Sequence, residues 1–154
     1  MATVFWDSEG VILVDFLDEK KTITAQYYVE VLKKLRSALA KKRPGKLHAR
    51  VLFHHDNAPA HSAKTTRDLL REFKWELLHH PPYSPDMAPS DYFLFPNLKN
   101  HINGVRWDSI TEVKRVASGW LLGQRAEFYR DGLERWRHRA EKCYDLDGDY
   151  VEKS

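Results

Sequence analysis

Apolar residues in the first third of the chain recur first at every second position and then at every third or fourth. Alternation in residues 3–18 predicts a β-hairpin whose turn ends at Gly10, a residue free to take a positive φ. Helical spacing in residues 24–40 predicts an amphipathic helix with Thr24 as its N-cap. Its apolar face is expected to carry Tyr28, Val31, Leu32, Leu35 and Leu39.

Short apolar runs and clustered prolines organise the middle of the chain. Residues 49–55 predict a strand, residues 62–73 a helix, and residues 75–78 a second short strand. The prolines within residues 81–89 are incompatible with regular structure there, because proline lacks an N–H and restricts the residue before it. Strands that alternate with helices indicate an α/β domain.

The second half of the chain is predicted to be helical. Ser90 is expected to cap a helix, and two more helices are expected over residues 109–122 and 125–143, with interruptions near Gly119 and Gly123. These helices would direct five large apolar side chains to the core: Trp120, Phe128, Tyr129, Leu133 and Trp136.

Length and composition are those of a single soluble domain. The 154 residues can form one core, 42% are hydrophobic, and no apolar run approaches the roughly 20 residues of a membrane helix. The N-terminus does not read as a signal peptide, and the single Cys143 excludes an internal disulfide. The net charge of +3 is compatible with nucleic acid without arguing for it. Basic residues cluster in residues 41–46 and along residues 135–142, either as solvated surface or as phosphate contacts.

Two aspartates are the strongest candidates for chemistry. Asp56 follows the predicted strand of residues 49–55, Asp91 begins the predicted helix, and the thirty-four residues 57–90 separate them. Carboxylates from distant segments can hold Mg²⁺ over a phosphodiester, which is the arrangement of a DNA-cutting enzyme. Spacing alone leaves simpler roles open: Asp56 as a turn residue and Asp91 as an acid at a helix N-terminus.

Two other kinds of metal site are also suggested by the sequence. Zinc is suggested by a set of histidines near Asp56, although adjacent histidines on a strand point to opposite faces. The set consists of His54, His55, His61, His79 and His80. The acidic tail, residues 145–150, resembles a calcium loop but lacks the bidentate glutamate at the required spacing. Asp86 is interpreted as a turn residue.

The segments around both aspartates resemble those of mariner-family transposases. Residues 55–61, HDNAPAH, are similar to the family's block around its second catalytic aspartate. Residues 80–95 are similar to the block around the third, at the same interval. Further matching segments, in family order, are Trp6-Asp7, Gly10-Val11-Ile12, Arg43-Pro44, Trp107-Asp108-Ser109, Phe128-Tyr129 with Gly132, and Arg135-Trp136 through Lys142-Cys143 to Asp147-Gly148.

This resemblance implies a fold and an activity. The expected fold is α/β, an RNase H-like mixed sheet flanked by helices, and the whole of residues 1–154 is expected to be one such domain in truncated form. The implied activity is cleavage of transposon ends and strand transfer into a TA target, in the nucleus, with Mg²⁺ or its substitute Mn²⁺. Asp56 and Asp91 are then two of three catalytic, metal-binding aspartates.

The chain also departs from the family pattern. The resemblance puts the first catalytic aspartate, on a central first strand, upstream of Met1, and the helix-turn-helix DNA-binding region further upstream still. Asp7 aligns with a turn position and is not a substitute ligand. Phe93 replaces a residue that is commonly histidine. We therefore expect unpaired strand edges, possible self-association and little or no transposition by this chain alone. The alternatives are a noncatalytic relic that binds DNA or a partner, or a product without function.

Overall fold

The computed structural model describes residues 1–18, 20–80, 88–103 and 106–145, with side chains as far as Lys142. The described residues fall into two compact units. The first unit comprises those of Met1–Phe5 and Ile12–Pro82, and the second comprises those of Trp6–Val11 and Tyr83–Ser154. No helix within these ranges is both long and apolar enough to span a bilayer.

The chain begins with the predicted hairpin. Strand β1 is Ala2–Asp7 and strand β2 is Gly10–Phe16, and the two form a two-stranded sheet. The Asp7 carboxylate accepts a hydrogen bond of 2.9 Å from the Glu9 N–H, which closes the turn. Gly10 has a φ of 133°, a value that a side chain would make strained, so the glycine predicted at this turn is confirmed.

Helix α1, Ala25–Lys42, forms the centre of the first unit. Thr24 caps it as predicted, because its hydroxyl oxygen accepts a hydrogen bond of 3.1 Å from the Tyr27 N–H. The helix buries the face that its apolar spacing predicts, down to an exposed fraction of 0% for Leu32. The buried residues of α1 are Tyr28, Val31, Leu32, Leu35 and Leu39.

Two helices pack on α1 where the sequence predicts one. Helix α2 is Pro59–Ser62 and helix α3 is Lys64–Phe73, separated by Ala63 in extended conformation with a ψ of 150°. The buried Thr66 hydroxyl donates a hydrogen bond of 2.6 Å to the Ala60 carbonyl across the break. That bond supplies a donor for a carbonyl of α2. The spacing of side chains within α3 does not predict the bond.

The remaining strands of the first unit are shorter than predicted. Strand β3 is Leu52–Phe53 and strand β4 is Glu76–Leu77, and they pair in parallel with Leu52 opposite Glu76. The parallel ladder joins only two residues of each strand. Within the described residues, no backbone ladder joins this sheet to the hairpin. The link is instead made by stacked rings, with the Phe5 and Phe53 centroids 6.1 Å apart.

The core of the first unit lies between α1, the sheets and α3. Its buried members are apolar or aromatic, as their spacing in the sequence predicts. They are Ile12, Tyr28, Leu32, Leu35, Leu39, Phe53, Ala60, Leu69, Leu70 and Trp75.

The second unit is helical. A π-helical turn, Ser90–Leu94, leads into α4, Phe95–Ile102, and is followed by α5, Ile110–Gly123, and α6, Ala126–Asp145. The predicted interruption near Gly119 is wrong, since this exposed glycine lies inside α5. Helix α5 ends at Gly123 as predicted.

The π turn has an identifiable cause. Pro96 lies in the first turn of α4 and cannot donate a backbone hydrogen bond to the carbonyl four residues earlier. The Phe95 N–H reaches back five residues to the Ser90 carbonyl instead. The Asn97 side-chain amide donates a further hydrogen bond of 2.7 Å to the Phe93 carbonyl. The turn is therefore one residue wider than an α-helical turn.

Candidate functional site

Asp56 lies just beyond β3, at the carboxyl end of the parallel β3–β4 pair. Ligands of α/β proteins commonly bind at this edge of a sheet. One carboxylate oxygen, Oδ1, accepts a hydrogen bond of 3.1 Å from the Ala58 N–H and lies 2.7 Å from His61 Nδ1. The turn role that the sequence left open is therefore real, since Asp56 does hold the bend before Pro59. It occupies only one of the two carboxylate oxygens.

The electrostatic environment keeps Asp56 ionised. The hydrogen bond from His61 lowers the pKa of the Asp56 carboxyl to about 2, assisted by the Ala58 N–H, although partial burial acts in the opposite direction. The side chain is 46% exposed. Among the residues that the structure describes, none makes a hydrogen bond or ion pair with Oδ2. Asp56 therefore presents a charged, accessible oxygen of the kind that Mg²⁺ prefers.

Two histidines and a buried tyrosine lie next to Asp56. Tyr28 Oη lies 2.9 Å from His55 Nδ1, and the His55 ring stacks on His61 with centroids 4.8 Å apart. Burial lowers the pKa of His55 to about 3. It also raises the pKa of Tyr28. His61, the direct partner of Asp56, therefore belongs to a cluster of three rings, because its own centroid also lies 4.1 Å from that of the buried Tyr28.

A second pair of histidines ties the segment after β4 to the segment after β3. His54 Nε2 lies 3.1 Å from Nδ1 of the buried His80, and burial lowers the pKa of His54 to about 4. The Asn57 side-chain amide donates a hydrogen bond of 2.8 Å to the His80 carbonyl. His54 and His55 thus have different partners, as adjacent positions of an extended segment should.

The described residues contain no group of three His, Cys, Asp or Glu side chains that could hold a metal ion. The zinc alternative therefore has no ligand set within those ranges. Asp86 and the calcium-like tail beyond residue 145 lie outside the described residues, and so does the side chain of Cys143.

Asp91 belongs to the second unit and lies in the π turn. Its N–H donates a hydrogen bond of 2.9 Å to the Ala88 carbonyl, and its side chain is exposed. The prediction that Ser90 caps this helix is wrong, because Pro89 occupies the N-cap position without a side-chain hydrogen bond. The Ser90 hydroxyl accepts a hydrogen bond of 3.1 Å from Trp6 Nε1 instead. A contact between residues so far apart in sequence could not be read from the local pattern.

Packing against α6 fixes the turn that carries Asp91. The Tyr92 hydroxyl donates a hydrogen bond of 3.1 Å to the Gly132 carbonyl. The ring of Phe93, 5% exposed, lies directly on Gly132, where a Cβ atom would come within 2.2 Å of the ring. Phe93 also contacts Phe128, with centroids 4.8 Å apart. Gly132 is therefore needed for close approach, a role that its isolated position in the sequence did not reveal.

Comparisons with known proteins agree with this architecture. A family model described as "Transposase (partial DDE domain)" matches residues 1–49. Mariner Mos1 transposase of Drosophila mauritiana is 42% identical over 154 residues, which are 99% of this chain and 45% of that protein. This chain therefore spans less than half the length of that curated relative.

Solved structures of Mos1 match the fold closely. The Mos1 transposase catalytic domain with raltegravir and Mg has a TM-score of 0.89 and 41% identity, covering 96% of this chain and 75% of that one. The Mos1 paired-end complex with left transposon end has a TM-score of 0.87 and 41% identity, covering 96% and 43% respectively. The RNase H-like α/β class that the sequence predicts is thereby confirmed.

Proposed function

This chain belongs to the mariner family of transposases and corresponds to part of their catalytic domain, and from that premise we propose that it serves metal-dependent DNA cleavage and strand transfer. Asp56 and Asp91 are the proposed catalytic, metal-binding residues. The observation that carries this proposal is the Asp56 carboxylate, which is ionised, half-exposed and held through one oxygen with the other oxygen accessible.

The donor chemistry fits Mg²⁺, with Mn²⁺ as a substitute. Carboxylate oxygens are hard ligands, and Mg²⁺ is commonly held by one or two of them together with waters and substrate phosphates. When bound, the ion supplies an activated water and charge stabilisation at the phosphate. His61 fixes the orientation of the Asp56 carboxylate, while Tyr92 and Phe93 fix the turn that carries Asp91.

The proposed substrate is DNA, both transposon ends and a TA target. The Mos1 relative was solved as a paired-end complex with a left transposon end, which supports a DNA partner here. Because such DNA is chromosomal, we also propose nuclear action. The test is chromatin fractionation of cells that express a tagged form of the protein. Failure to recover the tagged protein with nuclear DNA would contradict nuclear action.

The metal site can be tested by thermal unfolding with and without Mn²⁺. A ligand at about 100 times its dissociation constant stabilises the native state by about 2.7 kcal/mol. We expect Mn²⁺ to raise the melting temperature of the chain, and we expect Asp56→Asn and Asp91→Asn each to remove most of that increase. The residual response reports the affinity that the other carboxylate retains.

Asp68→Asn is the matched control, because Asp68 is an exposed carboxylate of α3 that pairs with Lys64 at 2.7 Å. Its response to Mn²⁺ should equal that of the unmodified chain. If Mn²⁺ does not raise the melting temperature of the unmodified chain, the proposed metal site is refuted and a noncatalytic role is favoured. The same conclusion follows if Mn²⁺ still raises the melting temperature of both Asp56→Asn and Asp91→Asn. We further propose that residues 1–154 act as one domain, so that probes in both units report a single transition.

A further inference from the structure

The second unit contains a cavity of about 500 Å³ between the segment that follows Asp91 and helix α6. Aromatic side chains form one wall, chiefly Tyr92 and Phe93, with Asn97 beside them. The opposite wall is a face of α6 that we call the α6 basic face, formed by Arg135, His138 and Arg139. These three are spaced i, i+3 and i+4, so they project from one side of the helix.

Both arginines lie over aromatic rings. The guanidinium carbon of Arg139 is 4.4 Å from the centroid of the Tyr92 ring, and that of Arg135 is 5.9 Å from the centroid of Phe93. Stacking of this kind restricts a guanidinium while its N–H edge can still donate hydrogen bonds.

Two acids of the described residues lie beside the α6 basic face. Asp131 lies 3.4 Å from Arg135, and both side chains are more than 60% exposed, so this pair holds the arginine only weakly. Glu134 also lines the cavity. The neighbouring Arg137 is engaged instead with Glu141, at 3.3 Å.

We propose that this cavity binds a backbone phosphate of the DNA strand, with Arg135 and Arg139 as its ligands and His138 as an additional donor. The assignment rests on the proposed function, since it takes DNA to be the substrate. A planar guanidinium suits a phosphate, because it donates two parallel hydrogen bonds. Tyr92 directly follows Asp91, so a phosphate held here fixes the strand beside that carboxylate. The α6 basic face is thus a positioning site that needs no metal.

The test is fluorescence anisotropy of a short labelled DNA duplex, titrated with the full chain in EDTA at salt concentrations from about 50 to about 200 mM. The double variant Arg135→Gln with Arg139→Gln should weaken binding about tenfold, and the slope of log affinity against log salt should shrink by about one to two. Arg137→Gln is the matched control on another side of α6 and should change affinity by less than about twofold.

Two further variants give effects that misfolding cannot imitate. Glu134→Gln removes a negative charge from the cavity and should tighten binding by about twofold. Arg135→Lys with Arg139→Lys keeps the charge but loses the planar fork, so the salt slope should persist while affinity falls by about threefold. Unchanged DNA affinity and salt slope in the Arg135→Gln, Arg139→Gln variant would overturn the inference, and so would an equal loss in Arg137→Gln.

The outcome is separable from that of the proposed metal chemistry. A chain that loses its Mn²⁺ response but still needs Arg135 and Arg139 for DNA binding would keep this site without catalysis. If Mn²⁺ raises the melting temperature but DNA affinity does not depend on Arg135 and Arg139, this site is refuted and the metal proposal stands.

Discussion

The two units hold their aspartates by different physical means. In the first unit, Asp56 is fixed by two polar contacts, a backbone N–H and the His61 imidazole, whose ring packs on the buried Tyr28. In the second unit, Asp91 is fixed through its neighbours, with the Phe93 ring pressed on Gly132 and the Ser90 hydroxyl bonded to Trp6. Hydrogen bonds set the orientation of a side chain directly, whereas ring packing sets the path of the backbone that carries it.

The largest effect is expected at the contact between Phe93 and Gly132. A methyl group on Gly132 would lie 2.2 Å from the Phe93 ring, so either the π turn or α6 must move. We expect Gly132→Ala to reduce the free energy of unfolding by about 3 kcal/mol, at the upper end of overpacking costs. Urea unfolding gives this value, and amide exchange of the segment after Asp91 shows whether the turn loosens.

Gly119→Ala is the control for that substitution, because nothing lies within 4 Å of a Cβ atom built at this position of α5. It should stabilise the chain by about 0.5–1 kcal/mol, since alanine favours helix over glycine. Adding Phe93→Leu to Gly132→Ala should recover part of the loss. Equal costs for the two glycine substitutions would contradict the packing argument and remove the contrast between the units.

The next effect tests polar fixation in the first unit. Thr66 is fully buried, and its hydroxyl donates to the Ala60 carbonyl at 2.6 Å. Thr66→Val keeps the shape but leaves that carbonyl without this donor, so we expect a loss of about 2 kcal/mol in unfolding free energy. Thr65→Val, at an exposed position of the same helix, should stay within about 0.5 kcal/mol of the unmodified chain. Similar values for both would mean that the bond contributes nothing.

An alkaline titration tests burial in the second unit. Burial raises the pKa of Tyr129 to about 12, above the value of about 10 for an exposed phenol. The stability contributed by the neutral phenol is therefore complete below about pH 10 and is lost as the pH rises through about 12. Tyr129→Phe should cost about 1 kcal/mol at neutral pH, because its hydroxyl donates to the Leu121 carbonyl, and should lose less stability in alkali.

Tyr27→Phe is the matched control in the first unit. The pKa of Tyr27 is also raised to about 12, but mainly by its hydrogen bond to Asp15 and only secondarily by burial. The alkaline loss of stability should change less in Tyr27→Phe than in Tyr129→Phe, as measured by urea unfolding at two pH values. The reverse order would show that the hydrogen bond to Asp15, and not burial of a phenol, sets the alkaline limit of stability.

The smallest effects should be equal in the two units. Thr24 caps α1 and Ser109 caps α5, and in both cases the hydroxyl accepts a backbone N–H at 3.1 Å. Replacing either by alanine should cost about 1 kcal/mol in unfolding free energy. Markedly unequal costs would mean that the units also differ in the stability of their helix ends, which the cap geometry does not suggest.

Features set by local spacing were predicted well from the sequence. The hairpin turn at Gly10, the Thr24 cap and the buried face of α1 depend on residues within a few positions of one another. The position of Asp56 after a strand belongs to the same class, although the strand shrank from residues 49–55 to Leu52–Phe53 because its ladder depends on another segment.

Features set by distant partners were missed. Ser90 did not become a cap, since Trp6 bonds its hydroxyl from 84 positions away. Position 132 needs glycine because the Phe93 ring, 39 positions earlier, lies against it, and the local sequence pattern does not predict this contact. The cavity at the α6 basic face could have been suspected, because Arg135, His138 and Arg139 share a helical side, but its aromatic wall comes from another helix.

The π turn makes the length of its segment as important as its composition. The π turn Ser90–Leu94 contains one residue more than an α-helical turn. Each residue of a helix turns the chain by about 100°. Deleting a single residue there would restore ordinary helical pairing and swing Asp91 by about that angle relative to α4. In related genes, a one-codon gap in this short stretch would thus signal a lost carboxylate geometry even where every aspartate codon survives.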